Sequence, residues 1–462
     1  MTISELAPQI REGKLSPVEL ARETFARIHR LQPALNAYIT VLEEQALEQA
    51  RQAEREIRTG HYRGPLHGIP YAAKDLFYTK GVATTAGSKI LKDFVPGYDA
   101  TAIERLREAG AVLVAKAGLH EFAYGITNNN PHFGPVRNPW DQARIPGGSS
   151  GGSAAALAAG MCTFSLGSDT GGSVRIPASF CGVVGLKPTF GRISRYGVFP
   201  LGHTLDHVGH FAWSVADAAL ILEALAGPDP NDDSAAAEPP PKVDLPADPK
   251  LSGLRVGVPG NYFFERLEPD VEKAVRAAVG KFRDLGAEIV EVEVAEIEDF
   301  TVLGRLILLP EATSVHRSRL KTRRADIGAD VLALLDQGQF VPATDYLDAQ
   351  RRRRELIRTL NRLFDQVNVI VTPTTPITAP KIGQGTVEIG GRTEDARLAA
   401  TRLVRALNMA GVPTLSVPCG LDSRGLPIGL QIFGRAFDEA GVLRAGHAYE
   451  QASGWNRRRP QI

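Results

Sequence analysis

Gly147-Gly148-Ser149-Ser150-Gly151-Gly152-Ser153 opens the most informative part of the chain. A run of small residues follows, Ser153 to Ala159, and then Gly167-Ser168-Asp169-Thr170-Gly171-Gly172-Ser173-Val174-Arg175. Glycine lets backbone N–H groups approach a ligand with no side chain in the way. Successive N–H groups in such turns make an anion-binding concavity. Serines set among them point to a nucleophile beside an oxyanion hole. A flexible linker is the plain alternative. It fits poorly, because both segments are flanked by apolar and alanine-rich runs. A phosphate cradle fits no better: there is no G-x-x-x-x-G-K-[ST], and no G-x-G-x-x-G follows a clear strand. Gly147 to Gly151 also matches the G-x-S-x-G elbow, in which Ser149 attacks and an acid and a histidine follow. His203, His207, His210, His316 and His447 all lie downstream. Against that reading, Arg137-Asn138-Pro139-Trp140-Asp141 reads as a loop where the elbow needs a strand.

The surroundings read as alternating helices and short buried strands. Gly68-Ile69-Pro70-Tyr71-Ala72-Ala73-Lys74-Asp75 suits a buried strand or turn ending in lysine. Thr101 to Ala109 suits a helix, Ala111 to Ala115 a buried strand, and Ala216 to Leu225 a helix. Gly182 to Leu186 and Gly209 to Trp213 are further short apolar runs. Leu254 to Pro259, Asp270 to Leu285 and Glu288 to Val292 follow as strand, amphipathic helix and strand. Val369 to Val371, Thr414 to Pro418 and Ile428 to Phe433 read as strands near the end. This alternation predicts an α/β architecture.

The first sixty residues read as helices packed outside the core. Ser16-Pro17-Val18-Glu19 has the pattern of a capping box with proline at the first helical position. Glu43 to Arg58 places Ala46, Ala50 and Ala53 on one side. Asn231 to Pro249 is rich in Pro, Ala and Asp and reads as an exposed linker or loop. Asp348 to Phe364 is a basic helix, and its run Arg351 to Arg354 reads as a solvated face. No internal repeat of fixed period is present.

Composition narrows the class. The chain has 462 residues, 43% of them hydrophobic and 23% charged, as in an ordinary globular protein. Lys+Arg 53 against Asp+Glu 52 leaves a formal charge of +1, which gives no electrostatic pull toward nucleic acid or an anionic membrane. Cys162, Cys181 and Cys419 have neither the number nor the spacing of a disulfide framework or a zinc site. No apolar run reaches membrane-spanning length, and the N-terminus lacks a secretory pattern. A cytoplasmic protein is the expectation. His203, His207 and His210 have a spacing that raises metal binding; the expectation is no metal and no cofactor.

Three motifs together carry a resemblance. Lys74 in Gly-Ile-Pro-Tyr-Ala-Ala-Lys-Asp, the Gly-Gly-Ser-Ser-Gly-Gly-Ser loop, and Asp-Thr-Gly-Gly-Ser-Val-Arg-Ile-Pro-Ala look like the amidase signature family. The likeness continues through Phe180 to Thr189 and reaches Gly425 to Gln431, so it spans most of the chain. It implies an α/β fold with a large mixed β-sheet and helices on both faces. It also implies one domain over 1–462: a helical part at 1–60, a catalytic core at 67–215, a loop at 231–249, and the rest of sheet and pocket at 250–462.

By that resemblance Ser173 is the nucleophile, Ser149 a bridging serine on a cis peptide bond, and Lys74 the base. A lysine can act so only when neutral, and burial is what lowers its pKa. Tyr71-Ala72-Ala73 gives Lys74 an apolar approach, while Asp75 opposes the effect unless its side chain points elsewhere. Thr170, Gly171 and Gly172 are expected to supply the oxyanion hole, with Ser150, Asp169 and Arg175 in support. Phe122, Tyr124, Ile126 and Phe199 are expected to line an apolar substrate pocket.

The expected reaction is hydrolysis of a carboxamide, or of a related anilide, carbamate or ester, through an acyl-enzyme. Two family branches compete: free-standing amidases, and the glutaminase A subunit of tRNA-dependent amidotransferases. Phe199-Pro200-Leu201 departs from that subunit's usual Val-Ala-Phe. The segments Ala399 to Leu403 and Asn408 to Gly411 lack the acidic residue with which that subunit holds glutamine's amino group. A free-standing amidase is therefore the main reading, and an esterase built on Ser149 a second alternative. The expected partner is a small amide, with no nucleic acid and no membrane, in a monomer or homodimer.

Overall fold

The computed structural model describes residues 1–462, position 456 left aside. Among the described residues eleven strands form one sheet. In chain order they are β1 (Tyr38–Val41), β2 (Pro70–Lys74), β3 (Val112–Ala117), β4 (Phe164–Asp169), β5 (Val184–Lys187), β6 (His207–Ala212), β7 (Arg255–Pro259), β8 (Glu288–Val292), β9 (Val369–Pro373), β10 (Thr414–Leu421) and β11 (Pro427–Gly434). Across the sheet they run β1-β3-β2-β4-β6-β5-β10-β11-β9-β7-β8. The sheet is mixed: β3, β2 and β4 are parallel, as are β9, β7 and β8, and antiparallel pairs join these blocks. Every residue of β2, β3, β4 and β6 is buried. Strands covered on both faces lose the two-residue alternation of half-exposed strands, which is why they read as short continuous runs.

Most strands lie where expected, shifted by a residue or two. Two were not legible. β1 is a four-residue edge strand, too short for a pattern. β4, Phe-Ser-Leu-Gly-Ser-Asp, mixes serines with apolar residues, yet its serines are buried and bonded. Ser165 Oγ donates to Ser153 O at 2.9 Å, and Ser153 Oγ donates to Leu166 O at 2.8 Å, which welds β4 to the small-residue helix Gly151–Ala158. That helix sits tight on its neighbours: a Cβ on Gly152 would lie 2.4 Å from Gly118 O and 2.5 Å from Ala37 O. Only glycine allows this approach.

The N-terminal helices cover the sheet rather than standing apart from it. Helix Ile3–Arg11 buries Ile3 and Leu6 completely, and Asp217 accepts from Ile3 N at 2.8 Å. Ala46, Ala50 and Ala53 form the buried face of helix Glu43–Arg58, as their spacing requires. The cap at Ser16 differs from the capping box expected there. Its hydroxyl accepts from Val18 N and Glu19 N, but it donates to Glu54 at 2.6 Å, tying two helices together. The reciprocal box forms at Thr2 and Glu5 instead. The segment 231–249 contains no helix or strand, and Arg192 Nη1 fixes it by donating to Pro239 O at 2.8 Å. The arginine run lies on helix Ala343–Leu363. Arg351 and Arg352 pair with exposed acids, whereas Arg353 turns inward and donates to Met409 O at 2.7 Å. The 26-residue helix Ile297–Thr322 carries no strong apolar stripe and was not anticipated. No helix among the described residues is long and apolar enough to cross a membrane.

Candidate active site

Lys74 ends β2, at the carboxyl end of the parallel block β3-β2-β4. In open α/β sheets ligand sites form at that end. The Lys74 side chain is fully buried, and its Nζ donates to Ser149 Oγ at 2.7 Å and to Ser168 Oγ at 2.8 Å. No carboxylate among the described residues touches it. Burial, which disfavours the charged amine, pulls its pKa down to about 7, while Asp169 and Asp206 act the other way from a distance. Asp75 does not restore the charge. Alternation along the strand turns it away, and it accepts from Thr85 N at 2.9 Å and lies 3.2 Å from Lys116 Nζ.

Ser149 follows a cis peptide bond from Gly148. A Cβ on Gly148 would lie 2.9 Å from the Ile126 carbonyl carbon, so the loop is threaded against the 120s segment. The two glycine-rich loops are cross-bonded. Ser150 N donates to Ser173 O at 3.3 Å, Ser150 Oγ donates to Ser168 O at 3.1 Å, and Ser168 N donates back to Ser150 Oγ at 3.3 Å. Ser150 thus links the two loops. Ser173 is 5% exposed where Lys74 and Ser149 are at 0%. Its hydroxyl makes no hydrogen bond among the described residues, so no bond joins the Ser149 and Ser173 Oγ atoms; the two loops meet instead at Ser150 N and Ser173 O.

Asp169 and Arg175 hold the second loop. Arg175 Nη2 donates to Asp169 Oδ1 at 3.0 Å and Nε to Oδ2 at 3.1 Å, both side chains being fully buried. Arg175 also reaches Val404 O and Gln431 Oε1 at 2.9 Å and Asn408 Oδ1 at 2.6 Å. Burial opposes the Asp169 charge, but the Arg175 guanidinium and its hydrogen bonds hold the carboxyl far below the usual range. Asp169 further accepts from Gly172 N at 2.8 Å and Val174 N at 3.0 Å. The Gly172 N–H expected in the oxyanion hole is therefore occupied in bracing the loop. Gly171 makes no hydrogen bond among the described residues and keeps its N–H available. Thr170 Oγ1 donates to Asp206 Oδ1 at 2.6 Å, which anchors the loop's other end.

A cavity of about 460 Å³ opens beside Ser173, Gly171 and Thr170. Tyr124 and Ile126 line it, as expected. Phe122 and Phe199 do not. Phe122 is fully buried, with ring centroids 5.5 Å from Phe199 and 4.3 Å from His316, so this stack forms core behind the pocket. Phe199 instead borders a separate cavity of about 310 Å³ that also reaches Ser168 and Asp206. Much of the 460 Å³ cavity's wall was not foreseen: helix Ile297–Thr322 supplies Arg305 and Leu308, helix Ala329–Gly338 supplies Leu334, and helix Arg405–Ala410 supplies Arg405. Ser168 was also missed, although it lies next to Asp169 within the quoted motif. Of the histidines, His207 contacts Leu205 O at 2.7 Å and His210 contacts Ala218 O at 2.9 Å. No cluster of metal-type ligands occurs among the described residues.

The same arrangement of sequence recurs in known proteins. A family model described as Amidase matches residues 19–443. The A subunit of glutamyl-tRNA(Gln) amidotransferase from Geobacter metallireducens is 42% identical over 487 residues, covering 100% of this chain and 99% of that protein. A solved chain from a vestigial protein complex bearing on the origins of an s-triazine catabolic enzyme superposes with TM-score 0.93 at 37% identity, covering 100% of both chains. A crystal structure of an amidase superposes with TM-score 0.89 at 37% identity, covering 97% of this chain and 99% of that one.

Proposed function

The chain belongs to the amidase family, and from that premise we propose that it cleaves a carboxamide C–N bond through an acyl-enzyme on Ser173, with Ser149 and Lys74 moving the proton. The observation that carries this reading is the buried Lys74 amine, with its pKa near 7, bonded only to serine hydroxyls. A neutral amine has two N–H groups and one lone pair. One N–H donates to Ser168, and in this neutral form the 2.7 Å contact with Ser149 reverses, the lone pair accepting the Ser149 hydroxyl proton.

Ser149 takes the Ser173 proton as it passes its own to Lys74, and Ser173 Oγ bonds to the amide carbon. The carbonyl oxygen becomes an oxyanion facing Gly171 N–H. Lys74 returns the proton through Ser149 to the leaving nitrogen, and the C–N bond breaks. Water attacks the acyl-enzyme along the same relay, and Ser173 leaves with the proton. The Ser149–Ser173 contact closes when substrate is bound; catalytic hydrogen bonds are commonly long without substrate.

Two branches of the family offer themselves for the amide. The curated relatives are amidotransferase A subunits, and likeness alone favours the glutaminase reading, in which partner subunits are needed. The pocket supports the free-standing reading. Both lining carboxylates are already engaged: Asp330 bonds His120 at 2.9 Å, and Asp395 caps helix Ala396–Thr401. Both carboxylates thus already have partners within the protein, and we hold the main reading on that ground. The test treats the protein with a fluorophosphonate probe and maps the adduct by mass spectrometry. Labelling of Ser173 that is lost in Lys74→Ala is expected. An adduct on Ser149 that survives Lys74→Ala defeats this reading in favour of the elbow esterase.

A further inference from the structure

The wall of the acyl cavity holds three guanidiniums, and one of them is unusual. Buried or half-buried arginines nearby all have oxygen partners. Arg175 pairs with Asp169, Arg353 donates to Met409 O and Thr204 O, and Arg402 donates to Tyr262 O, Glu265 O and Arg266 O. Arg405 donates to nothing among the described residues. The charged side chains that act on it are Arg305 and Arg397, both of the same sign, while the Tyr124 and Tyr262 hydroxyls act the other way. Arg305 Nη2 donates to Gln337 Oε1 at 2.6 Å, a neutral partner, and Arg397 is half exposed beside Asp395 at 3.8 Å. The two pocket carboxylates therefore leave Arg405 and Arg305 uncompensated.

Position makes Arg405 more than a stray charge. Its Cγ lies 3.7 Å from where a Cβ on Gly171 would stand, two residues before Ser173. The preceding residue is fixed, because Val404 O accepts from Arg175 at 2.9 Å, within the network that braces the nucleophile loop. Nearby Tyr124 presents a hydroxyl that makes no hydrogen bond among the described residues, on the same cavity. Arg405 is half-buried on the cavity wall, so its guanidinium faces the cavity without a protein partner among the described residues and can pair with an anionic ligand there.

We infer that Arg405 is a specificity-determining residue that binds a carboxylate on the substrate, with Arg305 adding to the field, so that the natural amide is an anionic carboxamide lacking an ammonium group. This rests on the acyl-enzyme reading above and names the class of amide it acts on. Arg405 holds the acid end of the substrate while Ser173 attacks the amide end. Cationic groups are excluded by the local excess of positive charge.

The probes are glutaramate and succinamate, with pentanamide and butanamide as their uncharged counterparts and L-glutamine as the analogue carrying an ammonium. Wild-type kcat/KM is expected to favour glutaramate or succinamate over its neutral counterpart by about 100-fold, and over L-glutamine by at least ten-fold. Arg405→Met is expected to bring the anion-to-neutral ratio close to one, through KM, and Arg405→Lys to retain part of it. Fluorophosphonate labelling of Ser173 is measured alongside in every variant. Labelled wild-type protein that shows no anion preference, or turns over none of the probes, overturns the inference alone. So does a preference that persists in labelled Arg405→Met. Failure of Ser173 to label in the wild type overturns the acyl-enzyme reading and this inference with it.

Discussion

Lys74 and Lys116 sit on neighbouring parallel strands, both with no exposed surface, and they are built for different ends. Lys116 faces Asp75 at 3.2 Å and donates to Phe77 O at 2.8 Å and Thr84 Oγ1 at 2.9 Å. It is a buried ion pair with its donors satisfied. Lys74 meets only Ser149 and Ser168. Burial lowers the pKa of both amines, but at Lys116 a contacting carboxylate pulls back toward the charged form. At Lys74 the carboxylates are remote, and the value falls to about 7. The lesson is that burial alone does not make a base. Burial without a contacting carboxylate, beside a hydroxyl that can give up a proton, does.

The largest expected effect breaks the catalytic side. Lys74→Met and Ser173→Ala should each lower kcat/KM by about 10⁴-fold or more, because groups that act as a unit fail together. The double variant should be no worse than either single one, which steady-state kinetics on one amide would check. Next comes the structural lysine. Lys116→Met leaves Asp75 buried and unpaired, and should cost about 3–5 kcal/mol of stability in denaturant unfolding. The same variant should leave the pH midpoint of kcat/KM where it was; a shifted midpoint would mean that the two lysines are coupled. Removing both partners, Asp75→Asn with Lys116→Met, should recover much of that stability, since the uncompensated charge is gone. The smallest effect concerns the core behind the pocket. Phe199→Leu should cost about 1 kcal/mol of stability and change KM for a small amide by less than about two-fold, because its ring stacks on Phe122 and borders the cavity beside Ser168, not the one that opens on Ser173.

Much of this contrast was legible in the residues. The glycine-serine loops stand out by composition, whereas Lys74 stands out only through the three motifs together, since a lysine after an apolar run more often reaches the surface. Whether Asp75 would cancel the effect was not legible, because it depended on which face of β2 each side chain takes. β4 escaped notice because its buried serines bond to a helix that only the tertiary structure brings near. The pocket was read least well. Tyr124 and Ile126 lie close in sequence to the catalytic segments and were found. The arginines and leucines of 297–409 come from helices remote in sequence, with no motif to tie them to Ser173. Phe122 and Phe199 are pocket residues by type; the structure uses Phe122 as core and sets Phe199 on a separate cavity.

The relay requires a neutral Lys74 amine at working pH. Isotope-labelled lysine in the intact protein, with the Lys74 signal assigned by its loss in Lys74→Met, reports its titration directly by NMR. The account predicts a midpoint near 7, matched by a rise of kcat/KM with pH through the same range, since only the deprotonated amine can accept the Ser149 proton. A Lys74 that stays protonated above about pH 9, close to an ordinary lysine, would contradict it.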